Sequence, residues 1–237
     1  AAVLTEEEVT WINFYDTAGS EIAKMRTTVK ESGYPMDIAL SPDGMKIMVS
    51  FLWPDQDGLK TRVAFYNFDS IGQTEENNQV NLLTYDGVVA PSVYFVDEQR
   101  AVILRNNGFS VCRGTEIPEE KVSVDFEDEI LTCFHEEGKI GFIFKSDKED
   151  YKYKLKVYNL NGRCTMKKYL NMDYRKAKMM EGNILLINEK GFQVYSSRGR
   201  KRVDVTYQKA VEDVTSVPGL GKYMVLSNGH TELIRVK

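Results

Sequence analysis

Cysteine and histidine are scarce in this chain of 237 residues. There are three cysteines, Cys112, Cys133 and Cys164, and two histidines, His135 and His230. A disulfide framework needs more cysteines in a shorter chain, and a zinc ribbon needs close C-x-x-C pairs. The cysteines therefore read as small buried hydrophobes on strands. Neither histidine has a second His or Cys at ligand spacing, so no metal site and no Ser-His-Asp triad is expected. Long apolar runs are missing too. The longest are strand-length, such as Ile184 to Ile187, too short to span a membrane. No Walker or dinucleotide fingerprint occurs, and no cofactor is expected. The sequence as given opens with neither a signal-peptide pattern nor a Met. Its opening, Ala1-Ala2-Val3-Leu4, already reads as strand, and a trimmed chain is the expectation.

What remains is ordinary globular composition: 42% apolar, 11% aromatic, 28% charged, with net charge −4. That is neither a disordered tail nor the basic composition of a nucleic-acid binder. The hydrophobic period is close to two almost throughout, and no window of eleven residues carries a helical stripe. Helix content near zero is expected. One strand type recurs as an apolar-x-apolar-aromatic run: Trp11 to Tyr15, Arg62 to Tyr66, Phe109 to Cys112, Leu155 to Tyr158 and Phe192 to Tyr195. A degenerate last copy is Leu233 to Val236. The final residues of these runs are spaced by 51, 46, 46, 37 and 41. That is the length of a four-stranded propeller blade, about 40 to 50 residues in repeat families.

Each unit then reads as strands A, B, C and D. A is exemplified by Met36 to Leu40, B by Lys46 to Phe51, C by the aromatic run, and a more polar D by Gln79 to Thr84. Ser41-Pro42-Asp43-Gly44, Glu137-Gly138, Glu181-Gly182 and Gly219-Leu220-Gly221 fall between A and B. Asn107-Gly108 and Asn228-Gly229 fall between B and C, and Asn161-Gly162 between C and D. Asn-Gly signals a type I′ hairpin, with positive φ at both central residues. All six prolines sit in predicted loops or strand starts. The expected fold is an all-β propeller of four-stranded antiparallel blades, one domain over 1–237. Full blades cover 35–84, 88–126, 128–170 and 173–207, and partial blades cover 1–30 and 210–237. Six blades are expected, or seven or eight with an upstream segment. The strand count runs B-C-D, four complete units, then A-B-C. The absent pair, D then A, leads to an expected N-terminal extension of about 20 to 25 residues. A β-sandwich is the rival fold, but it lacks a blade-length period.

The stretch Met36 to Val49, an apolar strand, then Ser41-Pro42-Asp43-Gly44, then a second apolar strand, resembles the WD40-like blade motif of bacterial TolB-type and lactonase-type propellers. The other units keep the pattern and lose the letters. No Trp-Asp dipeptide occurs, no Gly-His opens a blade, and the Gly-Gly pairs of kelch repeats are absent. Over its whole length the chain resembles an uncharacterised family of bacterial propellers displayed outside the cell behind an N-terminal transmembrane helix. The resemblance implies an extracytoplasmic, cell-surface or membrane-anchored location, with a cytoplasmic one as the alternative. It carries over no catalytic residues.

Several constellations are candidates for chemistry. Asp55-Gln56-Asp57-Gly58 opens like a calcium loop, but Tyr66 stands where the bidentate Glu of an EF-hand belongs. The acidic pairs Glu75-Glu76, Glu119-Glu120 and Glu136-Glu137 lie in predicted loops without a consistent partner. Charge is uneven along the chain. From Lys139 to Lys209 there are 18 Lys/Arg against 7 Asp/Glu, net +11, while the remainder holds 13 against 28, net −15. Lys167, Lys168, Arg175, Lys176, Arg198, Arg200, Lys201 and Arg202 form the expected patch for an anionic partner: a cell-wall polymer, lipid headgroups or an acidic protein. Tyr34, Trp53, Tyr85, Tyr174 and Tyr207 fall in or beside the D–A and B–C connections. They are the expected aromatic binding face for a protein or carbohydrate ligand, with inter-blade packing as the alternative role.

The function that follows is a non-enzymatic binding or scaffolding module at the bacterial cell surface. It is expected as a monomer without nucleic-acid partners, touching the membrane only through an upstream segment. The alternative is a hydrolase or lyase on the central channel. Inner strands would then have to supply its groups, and they offer Asp37, Lys176, Lys178, Glu212 and Asp213.

Overall fold

Alternating apolar residues with turn chemistry every few positions should give hairpins, and hairpins are what form. The computed structural model describes residues 2–6, 9–15, 17–55, 58–68, 78–219 and 221–236. Among the described residues the elements are β-strands, packed in two compact units, Ala1–Phe126 and Glu127–Lys237.

The first unit holds three antiparallel sheets. They are β1 (Ala2–Glu6), β2 (Val9–Tyr15) and β3 (Glu21–Thr28); then β4 (Tyr34–Leu40), β5 (Lys46–Asp55), β6 (Gly58–Asn67) and β7 (Gln79–Asp86); then β8 (Ser92–Phe95), β9 (Arg100–Arg105), β10 (Gly108–Arg113) and β11 (Glu119–Asp125). The second unit holds β12 (Ile130–Glu136), β13 (Lys139–Lys145), β14 (Tyr153–Asn159) and β15 (Cys164–Leu170). Then come β16 (Lys176–Met180), β17 (Asn183–Asn188), β18 (Gly191–Tyr195) and β19 (Lys201–Thr206), and finally β20 (Val211–Ser216), β21 (Lys222–Ser227) and β22 (His230–Arg235). Strand order within every sheet follows the chain. Within a unit the A strands of successive sheets lie side by side, β4 by β8 and β12 by β16. This is the blade arrangement of a propeller.

The period-two pattern explains how blades stack. On β17, Ile184 and Leu186 pack with Phe134, Leu155 and Met166 of the preceding sheet, while Leu185 and Ile187 pack with Val211, Val214 and Val225 of the following one. Both faces of a B strand are thus buried, so it reads as a continuous apolar run. Each such side chain contributes about 1.5–3 kcal/mol. The D strands alternate instead; on β11 Lys121, Ser123 and Asp125 are exposed while Val122 and Val124 are half-buried. The same parity clusters Met48, Val63 and Phe65 with the third sheet and Ile47, Val49 and Phe51 with the first.

Several turns depart from expectation. Both central residues have positive φ at Asn228-Gly229, but also at Glu137-Gly138 and Glu181-Gly182, and not at Asn107-Gly108 or Asn161-Gly162. Between β9 and β10 the turn residues are Asn106 and Asn107, and Gly108 already belongs to β10. A Cβ on Gly108 would stand 1.9 Å from the Val124 carbonyl oxygen, so the neighbouring strand, not the turn, demands glycine there. At Asn159–Arg163 the Asn159 side chain accepts the N–H groups of Asn161 and Arg163 and organises a longer turn. Pro54, expected in a loop, lies on β5. Pairing with β4 ends at Leu52, so this stretch is a sheet edge where a missing N–H is tolerated. Only Cys112 is a buried cysteine. Cys133 and Cys164 are exposed, on an inner strand and at the start of an outer one.

Candidate anion-binding cleft

The hairpin of β18 and β19 carries the densest run of cations, and its turn is firmly seated. Ser196 is buried, 6% exposed. Its N–H donates to the Arg200 carbonyl at 2.9 Å, its carbonyl accepts from Gly199 at 2.8 Å, and its hydroxyl accepts the Arg200 N–H at 3.2 Å. Gly199 has φ +78 and packs against Met166, whose sulfur would lie 3.4 Å from an added Cβ. Arg198, Arg200, Lys201 and Arg202 stand exposed around a concavity above this turn. Lys201 pairs with Asp204 at 2.5 Å, and this pairing holds the Asp204 carboxyl below its usual range. Among the described residues, Arg198, Arg200 and Arg202 have no ion-pair partner.

The rest of the expected basic patch is elsewhere. Strand order places the A–B and C–D turns at one end of a blade and the B–C and D–A connections at the other. Arg198 to Arg202 lie at a C–D turn; Arg175 and Lys176 follow a D–A connection, at the opposite end. These two are occupied. Arg175 donates to the carbonyls of Val211 and Glu212 at 3.0 Å each, and Lys176 joins Lys178 on Asp213 at 3.2 and 2.7 Å. Lys167 and Lys168, adjacent on β15, lie over the Tyr169 and Tyr195 rings at 5.1 and 5.9 Å. Lys168 also runs beside Gly199, which brings it toward the cleft.

The five aromatics split as well. Tyr34, Leu52, Thr61 and Tyr85 share one row across the second sheet, so both tyrosines are on one face. Trp53 is on the other face and on β5 rather than in the B–C loop, because the hairpin runs on to Asp55 and Gly58. The Arg62 guanidinium lies 3.3 Å over the Trp53 ring, while Trp53 Nε1 and Arg62 donate to the carbonyls of Lys30 and Glu31. That group fastens a D–A connection. Tyr85 packs in the core between sheets and donates to Glu120 at 2.6 Å; burial and this carboxylate raise its pKa. Tyr174 packs edge-on to Tyr153 at 5.0 Å and shares a hydrogen bond with Thr132 at 2.8 Å; burial raises its pKa too. Tyr207 donates to Glu232, which raises its pKa. Tyr34 alone stands well exposed, at 51%.

The candidate ionisable groups of the inner strands are tied into the fold. Asp37 accepts the N–H of Ile38 at 3.0 Å and, from the next sheet, that of Val93 at 2.8 Å. Glu212 accepts from Gly229 at 3.2 Å. Glu119 and Glu120 are on β11 rather than in a loop. Glu136, at the end of β12, takes the N–H groups of Glu181 and Gly182 in the next sheet's turn at 2.7 Å each. Successive amides in a positive-φ turn form a small anion nest, and here a carboxylate of the fold fills it. No sequence signal announced that contact. The stretches around Gln56-Asp57 and Glu75-Glu76 lie outside the described residues. Among the described residues, no three His, Cys, Asp or Glu side chains cluster as metal ligands.

Beside the cationic concavity is a second cleft of about 300 Å³ between the last two sheets, and Arg202 lines both. Leu185 and Val194 line it together with Glu181, Asn183, Ser216, Lys222 and Tyr223. Sequence patterning had no means to pair these residues, which come from four strands and one turn.

The profile of the Family of unknown function (DUF5711) matches residues 1–236. None of the curated proteins matches the sequence. Among solved structures the chain is similar to the Neurospora crassa Pan2 WD40 domain, with TM-score 0.54 and 12% identity over 98% of this chain and 73% of that one. It is likewise similar to the Dos1 propeller, with TM-score 0.57 and 10% identity over 96% and 62%. Saccharomyces cerevisiae Sqt1 matches with TM-score 0.55 and 12% identity over 88% and 63%. The chain thus spans roughly two thirds of the length of these propellers. At such identities the likeness establishes the propeller fold alone.

Proposed function

Because the chain belongs to the Family of unknown function (DUF5711) and folds as a propeller, we propose that it is a non-enzymatic binding module, working through its surface rather than through an inner catalytic site. One observation carries this reading. The ionisable groups of the inner strands are used as ties between strands and sheets, while Arg198, Arg200 and Arg202 stand exposed with no ion-pair partner among the described residues. A hydrolase or lyase would need Asp37, Glu212 or Asp213 free to move protons, and each already accepts hydrogen bonds that the fold supplies. The binding partner is anionic. The setting we propose is the bacterial cell surface, supported by the resemblance of the Ser41-Pro42-Asp43-Gly44 unit to extracytoplasmic propellers.

The test is retention on immobilised heparin at low ionic strength, where the Debye length is about 30 Å at 0.01 M. The acidic protein should be retained and should elute as salt rises. The triple reversal Arg200→Glu, Lys201→Glu, Arg202→Glu should flow through. Equal elution of both proteins would refute the reading.

A further inference from the structure

Arg202 lines two neighbouring clefts, a cationic concavity and one with mixed polar and apolar walls, which together make a candidate site. We propose that it is a binding site for a phosphorylated sugar, with the phosphoryl group on the rim and the hydroxyls in the cleft between the last two sheets. The proposal rests on the binding-module reading and adds the ligand's chemical class.

The rim selects the acid group. Guanidinium is planar, permanently charged, and offers paired N–H donors that match the oxygens of phosphate. Three such groups, Arg198, Arg200 and Arg202, converge on a turn fixed by the buried Ser196 and by Gly199. Their like charges repel, and among the described residues none of the three forms an ion pair; Asp204 is engaged by Lys201 and also accepts from Gln193 at 3.1 Å. A dianion with three acceptor oxygens answers three guanidinium forks. A carboxylate has one charge and two oxygens, and leaves part of the rim unmatched.

The adjoining cleft selects the body. Its volume, about 300 Å³, is at the small end for ligand pockets and suits a single sugar ring. Its walls mix acceptors and donors, the Glu181 carboxylate, the Asn183 amide, the Ser216 hydroxyl and the Lys222 ammonium, which suits an array of hydroxyls. Tyr223 lends the apolar face that a sugar ring needs; its own ring is held 5.3 Å from Phe192. Glu181, exposed on the turn between β16 and β17, adds a carboxylate to the same lining, which disfavours a second negative charge on the body of the ligand.

Calorimetric titration at low salt would use glucose 6-phosphate, inorganic phosphate, glucuronate and glucose on the intact chain. Glucose 6-phosphate should bind saturably, at least about tenfold tighter than phosphate or glucuronate, and glucose alone should give no measurable heat. Arg202→Gln and, separately, Arg200→Gln should each weaken both phosphate-bearing ligands by about tenfold, the scale of one charge-assisted hydrogen bond. Both side chains are exposed, so unchanged circular dichroism is expected. Ser216→Val should reduce glucose 6-phosphate to the affinity of phosphate and leave phosphate itself untouched. Absent saturation, equal affinity for glucuronate, or indifference to both arginine variants would overturn the proposal. Heparin retention without glucose 6-phosphate binding overturns this site and leaves the binding-module reading standing; loss of both removes both.

Discussion

Lys154 gives the sharpest test of how this fold manages buried charge. Its side chain is only 4% exposed, and its ammonium is held by Asp128 at 2.8 Å and Asp147 at 3.1 Å, both about half-exposed. Burial alone would lower its pKa; the two carboxylates outweigh that and raise it. The arrangement is lopsided: removing the cation leaves two carboxylates that water can reach, whereas removing the carboxylates strands a cation that water cannot reach. The double variant Asp128→Asn, Asp147→Asn should therefore cost about 3–5 kcal/mol, the usual result of unpairing a buried charge. At about 2–4 °C per kcal/mol for a chain of this length, its melting temperature should fall by roughly 6–20 °C. Lys154→Met keeps the length of the stem and the apolar contact near Phe144, 5.9 Å from the ammonium. It should stay within about 1 kcal/mol of the parent. Urea unfolding of the three proteins measures the difference. If Lys154→Met proves as unstable as the double variant, the ion pairs contribute net stability and the argument from stranded charge is refuted.

Glu136→Ala should lower stability by about 2 kcal/mol, since it leaves two amides of the Glu181-Gly182 turn without their acceptor; Glu136→Gln should recover part of the loss in the same thermal melt. Gly191→Ala should cost about 1–3 kcal/mol or more in urea unfolding, because its φ is +153 and the new Cβ would meet the Val205 carbonyl oxygen at 1.8 Å. In thiol labelling of the folded protein at neutral pH, Cys164 and Cys133 should react while Cys112, its pKa pushed up to about 12 by burial, should react only on unfolding. The Asp147 carboxyl is held down at about 2 by hydrogen bonds from Tyr169 and Lys154. Its stabilising contribution is complete above its ordinary value of 3.8 and lost as pH falls through 2, so the stability gap between parent and Asp147→Asn should close over that window in acid titration.

The fold was legible because a blade is a local object. Its hairpins join neighbours in sequence, so the short turns and the period-two runs that specify it can be read in order. Ile184 to Ile187 announces a strand buried on both faces, and the Ser41-Pro42-Asp43-Gly44 turn forms through the Ser41 and Asp43 side chains, with Asp43 Oδ1 accepting the Met45 N–H at 3.0 Å. Where the reading slipped, a neighbour across the sheet decided. Gly108 is glycine because the Val124 carbonyl approaches it, and Trp53 is on a strand because Asp55 and Gly58 close the hairpin further out. Tyr85 and Tyr174 carry the composition of a binding face, yet the packing of adjacent sheets claims them.

The basic stretch from Lys139 to Lys209 shows why the site was harder to see. Net charge is counted along the chain, but an antiparallel blade sends alternate turns to opposite ends, so a cationic segment is divided as it folds. Arg175 and Lys176 go to one end and meet the carbonyls of Val211 and Glu212 and the carboxylate of Asp213; their charge is absorbed by the next sheet. Arg198, Arg200 and Arg202 go to the other end, where among the described residues of that turn only Lys201 forms an ion pair. The sequence excess is therefore a poor measure of available charge, and the relevant quantity is what remains once the structural ion pairs are formed. By that measure Arg202 matters most, because it alone lines both the cationic turn and the polar cleft beside it. Arg202 precedes Val203, whose side chain is buried in the core with Val194 and Val211, so its backbone is anchored while its guanidinium reaches outward. A binding group needs that combination of fixed base and unpaired head, and composition alone cannot reveal it.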